Sequence, residues 1–208
     1  MLLIFDFDGT LYDSLPCVHE GVCAVFEYCE LPLPTLVDFV LKFKAPYEAF
    51  YRERGVTIPL EDIERLFRAK ANRDTIPLFP DVIEAMQRLA AAGHTLAIVS
   101  GNMTANVLPA LARGGIRELF TTVRCSHQDK VQAFSDVVHD LSFAPDDALV
   151  IGDSMIDVSH ARQAGLRSVA IVRYPELACV SAELITGGAL GVIKCLTELD
   201  SHLERALS

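Results

Sequence analysis

The chain lacks a basic footprint. Its 208 residues carry 28 Asp and Glu against 18 Lys and Arg, a formal net charge of −10. Nucleic-acid binding needs clustered positive charge, so the composition points away from that class of partner and toward a divalent cation. No basic region precedes the apolar run at the N-terminus, and Asp6 interrupts that run early, which predicts neither a signal peptide nor an anchor. No segment approaches the roughly 20 apolar residues that span a bilayer, so no membrane role is expected. The cysteines Cys17, Cys23, Cys29, Cys125, Cys179 and Cys195 contain no C-x-x-C pair, which leaves a tetrahedral zinc site poorly supported. Without a secretory signal they read as free thiols of a cytoplasmic protein. Internal repeats and low-complexity segments are also missing.

What is present is a globular composition, 51% hydrophobic and 22% charged, in a chain long enough for one sizeable core and a smaller insert. Everything is organised around Leu2-Leu3-Ile4-Phe5-Asp6-Phe7-Asp8-Gly9-Thr10-Leu11. This is an apolar run fit for a buried strand, stopped abruptly at a glycine. Asp6 and Asp8 are two residues apart, a spacing that puts side chains on one face of a strand. Two acids so placed repel each other unless a proton or cation lies between them. The plainer alternative makes Asp8-Gly9 a turn and Asp6 a solvated edge residue.

From Ser14 to about Pro77 the pattern is helical. Val18, Val22, Val25, Phe26 and Cys29 recur at helical spacing, and Pro32 and Pro34 close that helix. Thr35, three residues before Asp38, signals a capped helix over Leu36 to Phe43. Pro46 restarts a short helix carrying Phe50, stopped at Gly55, and Leu60 to Ala71 is the clearest helix. After Pro80, strands and helices alternate. Strands are expected at Thr95–Val99, Leu119–Val123, Ala148–Ile151 and Ser168–Val172. Helices are expected at Asp81–Ala92, Thr104–Arg113 (with Pro109 as an awkward interior residue), Lys130–Leu141 and Asp157–Ala164. Beyond Tyr174 the signals weaken, with Leu184-Ile185 read as a last short strand and Leu190 to Leu207 as helical. The alternation predicts an α/β fold, a mostly parallel sheet covered on both faces, with the helical segment inserted as a cap. The expected division is 1–13 with 78–208 as core and 14–77 as cap.

Ligands of such sheets bind beyond the carboxyl ends of the strands. Asp6, Asp8, Ser100 and Asp153 all follow predicted strands, with Asp157 one helical turn behind. That many carboxylates in one cleft call for a cation, and Mg²⁺, which takes few carboxylates, waters and phosphate oxygens, fits. Ser100 offers a hydroxyl, the Gly101 and Asn102 N–H groups precede a helix where phosphate is favoured, and Lys130 brings positive charge.

These residues resemble the haloacid dehalogenase superfamily, in its phosphoglycolate phosphatase-like branch with a helical cap and a Rossmann-like core. Asp6-Phe7-Asp8-Gly9-Thr10-Leu11 is similar to the first motif and is followed by Asp13-Ser14. Ile98-Val99-Ser100 is similar to the second, Lys130 stands for the third, and Gly152-Asp153-Ser154-Met155-Ile156-Asp157 is similar to the fourth. The resemblance implies a Mg²⁺-dependent phosphomonoesterase acting on a small phosphorylated metabolite through an aspartyl-phosphate. Asp6 would be the nucleophile and Asp8 the general acid and base. The metal would bind the Asp6 carboxylate, the Asp8 carbonyl and Asp153. Ser100, Gly101, Asn102 and Lys130 would hold phosphoryl oxygens, Gly9 and Thr10 would free backbone for the phosphate, and Asp157 would orient Lys130 or a metal-bound water.

The chain departs from many relatives at Val131, where they have proline after the lysine, and at Ser100-Gly101-Asn102, where near relatives often have Thr-Asn. Lys130 also has a plainer reading as a surface lysine, and His127 as an exposed polar residue rather than part of the entrance. Lys42, Lys44, Arg52 and Arg54 are candidate substrate contacts of the cap, equally well explained as solvated helix faces. Competing functions are a β-phosphoglucomutase-like mutase, which needs a cap that shields the phosphoenzyme from water, a carbon–halogen hydrolase, against which Asp8 argues, and a non-catalytic phosphate-binding protein, which would have lost one of the acids.

Overall fold

The computed structural model describes residues 1–43, 47–71, 76–127 and 129–206. They divide into two compact units, 1–13 with 77–208, and 14–76, so Pro77 falls with the α/β unit. The lysine at position 44 and the proline at 46 lie outside the described residues.

The α/β unit contains strands β1 (Leu2–Phe5), β2 (Thr95–Val99), β3 (Phe120–Arg124), β4 (Ala148–Gly152), β5 (Arg167–Ile171) and β6 (Val192–Ile193). They form one parallel sheet in the order β3-β2-β1-β4-β5-β6. β1 is central, with Leu2 beside both Thr95 and Ala148. Its residues are wholly buried, as an apolar strand covered on two faces requires. Leu2 and Ile4 pack with Val99, Phe134, Val137 and Val150 on one face; the period of two sends Leu3 and Phe5 to the other. The chain builds outward from β1 through β2 to β3, then returns to place β4 on the opposite side of β1. That reversal makes a crevice at the carboxyl ends of β1 and β4 the expected ligand site.

The helices of this unit are α5 (Val82–Ala91), α6 (Thr104–Arg113), α7 (Val131–Asp140), α8 (Met155–Gln163), α9 (Ser181–Gly187) and α10 (Asp200–Ala206). α6 runs through Pro109 as one helix. The C-terminal region departs from the sequence expectation. Leu184 and Ile185 lie in α9, with Leu184 buried and Ile185 exposed, the one-sided pattern of a surface helix. α9 stops at Gly188, whose φ of +115° is open to glycine. The last strand is β6, inside the stretch expected to be helical; a turn at Leu196–Glu198 and α10 follow it. Two paired residues are too few to leave a period in the sequence.

The helical unit contains α1 (Leu15–Tyr28), α2 (Leu36–Lys42), α3 (Tyr47–Arg52) and α4 (Leu60–Lys70). Thr35 caps α2 by accepting from the Asp38 N–H at 3.1 Å. Val22, Val25, Phe26, Phe39, Phe50, Tyr51, Val56 and Ile63 form its core. Among the described residues no helix is long and apolar enough to cross a membrane. The cysteines form no disulfide among the described residues.

Candidate active site

β1 ends at Phe5, and the Asp6 N–H donates to the Ile151 carbonyl at 2.8 Å, which carries the ladder one residue further. Asp6 is thereby held at the carboxyl end of the central strand, 6% exposed. β4 delivers Asp153 from its other side. Asp157 enters from the first turn of α8, where a reciprocal cap fixes it: the Ser154 N–H and hydroxyl donate to Asp157 Oδ2 at 3.2 and 2.6 Å, and the Asp157 N–H donates to Ser154 Oγ at 3.3 Å. Carboxylate oxygens of Asp6, Asp153 and Asp157 lie within 4.8 Å of one another.

Lys130, immediately before α7, is buried among them. Its Nζ donates to Asp6 Oδ1 at 2.5 Å and to Asp157 Oδ1 at 2.6 Å. Three carboxylates against one ammonium leave an excess of negative charge in a poorly solvated site. Burial, only partly offset by Lys130 and reinforced by the charge of Asp157, pushes the Asp6 carboxyl up to about 7. Burial and the charges of Asp6 and Asp157 push Asp153 well above the usual carboxylate range. For Lys130, burial favours the neutral amine, but Asp157 and Asp6 outweigh it and hold the ammonium more firmly than usual.

The donor set fits a small divalent cation. Both oxygens of Asp157 are engaged by Lys130 and Ser154, so Asp6 Oδ2 and the Asp153 carboxylate are the oxygens of this group that would serve a cation. Hard oxygen ligands in a cluster short of positive charge suit Mg²⁺.

Two glycines make this convergence possible. Gly9 has φ +74°, and a Cβ there would lie 2.1 Å from Asp153 Oδ2. A Cβ on Gly152 would lie 2.4 Å from the Asp157 Cβ. At both positions an added side chain would force a carboxylate of the cluster to move.

The structure also places the phosphate-side candidates. Ser100 is 1% exposed, and its N–H extends β2 pairing by donating to Arg124 O at 2.9 Å. The Asn102 N–H, expected to serve phosphate, donates to Ser100 Oγ at 3.0 Å. Gly101 lies between them in the turn that leads to α6. The Asn102 side chain does what the sequence did not suggest: its Nδ2 donates to Asp8 Oδ2 at 2.7 Å, while its Oδ1 accepts from Met103 N and Asn106 Nδ2. Thr10 is wholly buried and its hydroxyl has no hydrogen-bond partner among the described residues. The His127 N–H donates to the Ser100 carbonyl.

Val131 proves to be self-consistent. Proline would have no N–H to satisfy there; the Val131 N–H is taken by Asp129 Oδ1 at 3.0 Å. The Lys130 N–H donates to His160 Nδ1 at 3.2 Å, which requires that nitrogen to be unprotonated. His160 was not singled out by any sequence signal. Of the helical-unit cations, Lys42 pairs with Asp38, Arg52 with Glu48, and Arg54 with Asp38 while lying 3.8 Å over the Phe50 ring. Each has a structural role within its own unit.

Comparison with known proteins gives the family and the fold. Residues 3–171 match the family described as Haloacid dehalogenase-like hydrolase. A phosphoglycolate phosphatase of Synechococcus elongatus is 32% identical over 176 residues, 81% of this chain and 82% of that protein. One of Rhodobacter capsulatus is 30% identical over 182 residues, 79% of this chain and 80% of that protein. Among solved structures, a conserved haloacid dehalogenase-like protein of unknown function from Agrobacterium tumefaciens has a TM-score of 0.82 at 18% identity, covering 100% of this chain and 99% of that one. At that identity the likeness speaks for the fold.

Proposed function

This chain belongs to the haloacid dehalogenase-like hydrolase family, and from that premise we propose that it is a Mg²⁺-dependent phosphomonoesterase for a small phosphorylated metabolite, with 2-phosphoglycolate the favoured substrate. The observation that carries the reading is the buried Asp6–Lys130–Asp157 chain, with Asp153 and Asp6 bringing carboxylate oxygens together at the ends of β4 and β1.

Asp6 attacks phosphorus, forming an aspartyl-phosphate as the bond from phosphorus to the ester oxygen breaks. Asp8 gives its proton to the departing alcohol, then takes one from the water that attacks the acyl-phosphate and regenerates the Asp6 carboxylate. Asn102 holds one Asp8 oxygen and so limits the orientations open to that proton. Lys130, with its charge fixed by two carboxylates, neutralises Asp6 as the phosphate dianion arrives and draws phosphoryl oxygens beside it. Ser100 contributes a hydroxyl to the same oxygens. The Asp6 and Asp153 carboxylates with the Asp8 carbonyl would hold Mg²⁺, which would supply the remaining positive charge needed as two anions approach each other. The helical unit, residues 14–76, is the cap in this reading and selects the substrate.

The test is hydrolysis of p-nitrophenyl phosphate and of a panel of phosphorylated metabolites including 2-phosphoglycolate, with Mg²⁺ and with a chelator. Phosphate release that requires Mg²⁺ supports the reading, and kcat/KM ranks the substrates. Phosphate that is bound without being released from any ester would leave only a binding protein.

A further inference from the structure

Two residues beyond β5 reach back to the turn that carries Asp8. Arg173 donates from Nη2 at 2.7 Å and Nε at 3.2 Å to the Thr10 carbonyl. Its Nη1 meets both Asp81 oxygens at 2.8 Å, and its guanidinium carbon lies 4.4 Å from the Phe79 ring centre. The side chain is only 4% exposed. Asp81 is itself anchored, with Oδ2 accepting from Leu196 N at 2.6 Å. Tyr174 donates its hydroxyl to the Asp13 carboxylate, so adjacent residues grip both ends of the Thr10–Asp13 segment.

The Phe7–Tyr12 turn, which contains Thr10 and runs up to Asp13, is closed mostly on itself. The Leu11 and Tyr12 N–H groups donate to Phe7 O, and Gly9 N–H donates to Tyr12 O. The Thr10 carbonyl takes no part in those bonds and, in a wholly buried residue, accepts from Arg173 instead. A guanidinium fork serves one carbonyl and one carboxylate at once, with its charge cancelled by Asp81. Arg173 thus contributes geometry rather than net charge.

We propose that Arg173 is a positioning residue for Asp8: it fixes the Thr10 carbonyl and thereby holds the Phe7–Tyr12 turn where the Asp8 carboxyl meets the leaving oxygen. The inference rests on the phosphatase reading. Its signature follows from chemistry. An alkoxide leaving group needs a proton from Asp8, whereas p-nitrophenolate departs with little help, so a misplaced acid slows the alkyl ester selectively.

Arg173→Lys, Arg173→Ala and Asp81→Asn are compared in the full chain with an Arg167→Ala control, since Arg167 opens β5 at the end opposite to Arg173 and bonds the Asp146 carbonyl. Two quantities are read: kcat and KM on 2-phosphoglycolate, or the best alkyl ester of the panel, against p-nitrophenyl phosphate, and hydrogen exchange of the peptide over residues 7–13 against that over β2. The expected result for Arg173→Lys is a loss of about 10²-fold in kcat on the alkyl ester and under about 10-fold on the aryl ester, with KM little changed. Exchange should rise in the 7–13 peptide alone. Equal losses on both esters, or unchanged exchange in that peptide, would overturn the proposal. A wild-type chain that hydrolyses neither ester would refute the phosphatase reading, while exchange would still decide whether Arg173 holds the turn.

Discussion

Lys130 Nζ lies 2.5 Å from Asp6 Oδ1, in a site where both side chains are less than a tenth exposed. The ammonium also faces Asp157, so its removal leaves two buried carboxylates opposed. Breaking a buried pair from one side costs about 3–5 kcal/mol. Lys130→Met should lose stability of that order at neutral pH without metal, together with nearly all turnover. Urea unfolding followed by circular dichroism measures it, as the chain has no tryptophan to report by fluorescence. Unchanged stability would mean that the ammonium is not part of the fold.

The raised carboxyl of Asp6 sets a pH dependence. Its folded value of about 7 exceeds the ordinary 3.8, so between these values the native state holds a proton that the unfolded state releases. Stability from this group is therefore fully present below about pH 3.8 and is lost as pH rises to about 7. Asp153 acts in the same direction. In the presence of a chelator, the melting temperature of the wild type relative to Asp6→Asn should fall from pH 5 to pH 8. Saturating Mg²⁺ should raise the melting temperature more at pH 8 than at pH 5. An equal Mg²⁺ effect at both values would contradict the account.

The acid and its holder should separate in rate. Asp8→Asn loses the proton exchange, which is worth about 10²–10⁴-fold, whereas Asn102→Ala loses only orientation and should cost about 10-fold. Ser100→Ala removes one donor to the phosphoryl group, a loss of about 10²–10³-fold. Steady-state kinetics on the best substrate of the panel gives the order. Activity of Asp8→Asn above that of Asn102→Ala would reverse the assignment.

Glycine at two kinds of position gives a further contrast. Gly9→Ala combines φ +74° with an overlap on Asp153, and should abolish activity. Gly93→Ala has φ +84° but nothing within 4 Å of the new Cβ. It should lose about 1 kcal/mol to backbone strain and keep normal kcat. Thermal unfolding and kcat of the two variants decide it; a normal kcat for Gly9→Ala would show that Asp153 has room to yield.

The sequence was most informative where a buried strand ends in polar residues, because an apolar run and the acid after it are local. Asp6, Ser100 and Asp153 all stand in that relation to β1, β2 and β4. Links between side chains distant in sequence were not legible. Nothing local ties Asn102 to Asp8, His160 to the Lys130 N–H or Arg173 to Thr10, separated by 94, 30 and 163 positions. Asp129 is an intermediate case, since its bond to Val131 spans two residues and belongs with the missing proline. The C-terminal misreading has a different cause. β6 is strand only because β5 pairs with it, with Ala170 beside Val192, and a partner supplied by the fold leaves no period in a two-residue segment.

The central claim is that the Asp6 carboxylate carries the phosphoryl group during turnover. The direct measurement is acid quenching of the enzyme during turnover of a phosphorus-labelled substrate with Mg²⁺, followed by mass spectrometry of the N-terminal peptide. The account predicts one phosphoryl group on Asp6, lost on treatment with hydroxylamine and absent in Asp6→Asn. Label on another residue, or full turnover by Asp6→Asn, would contradict it.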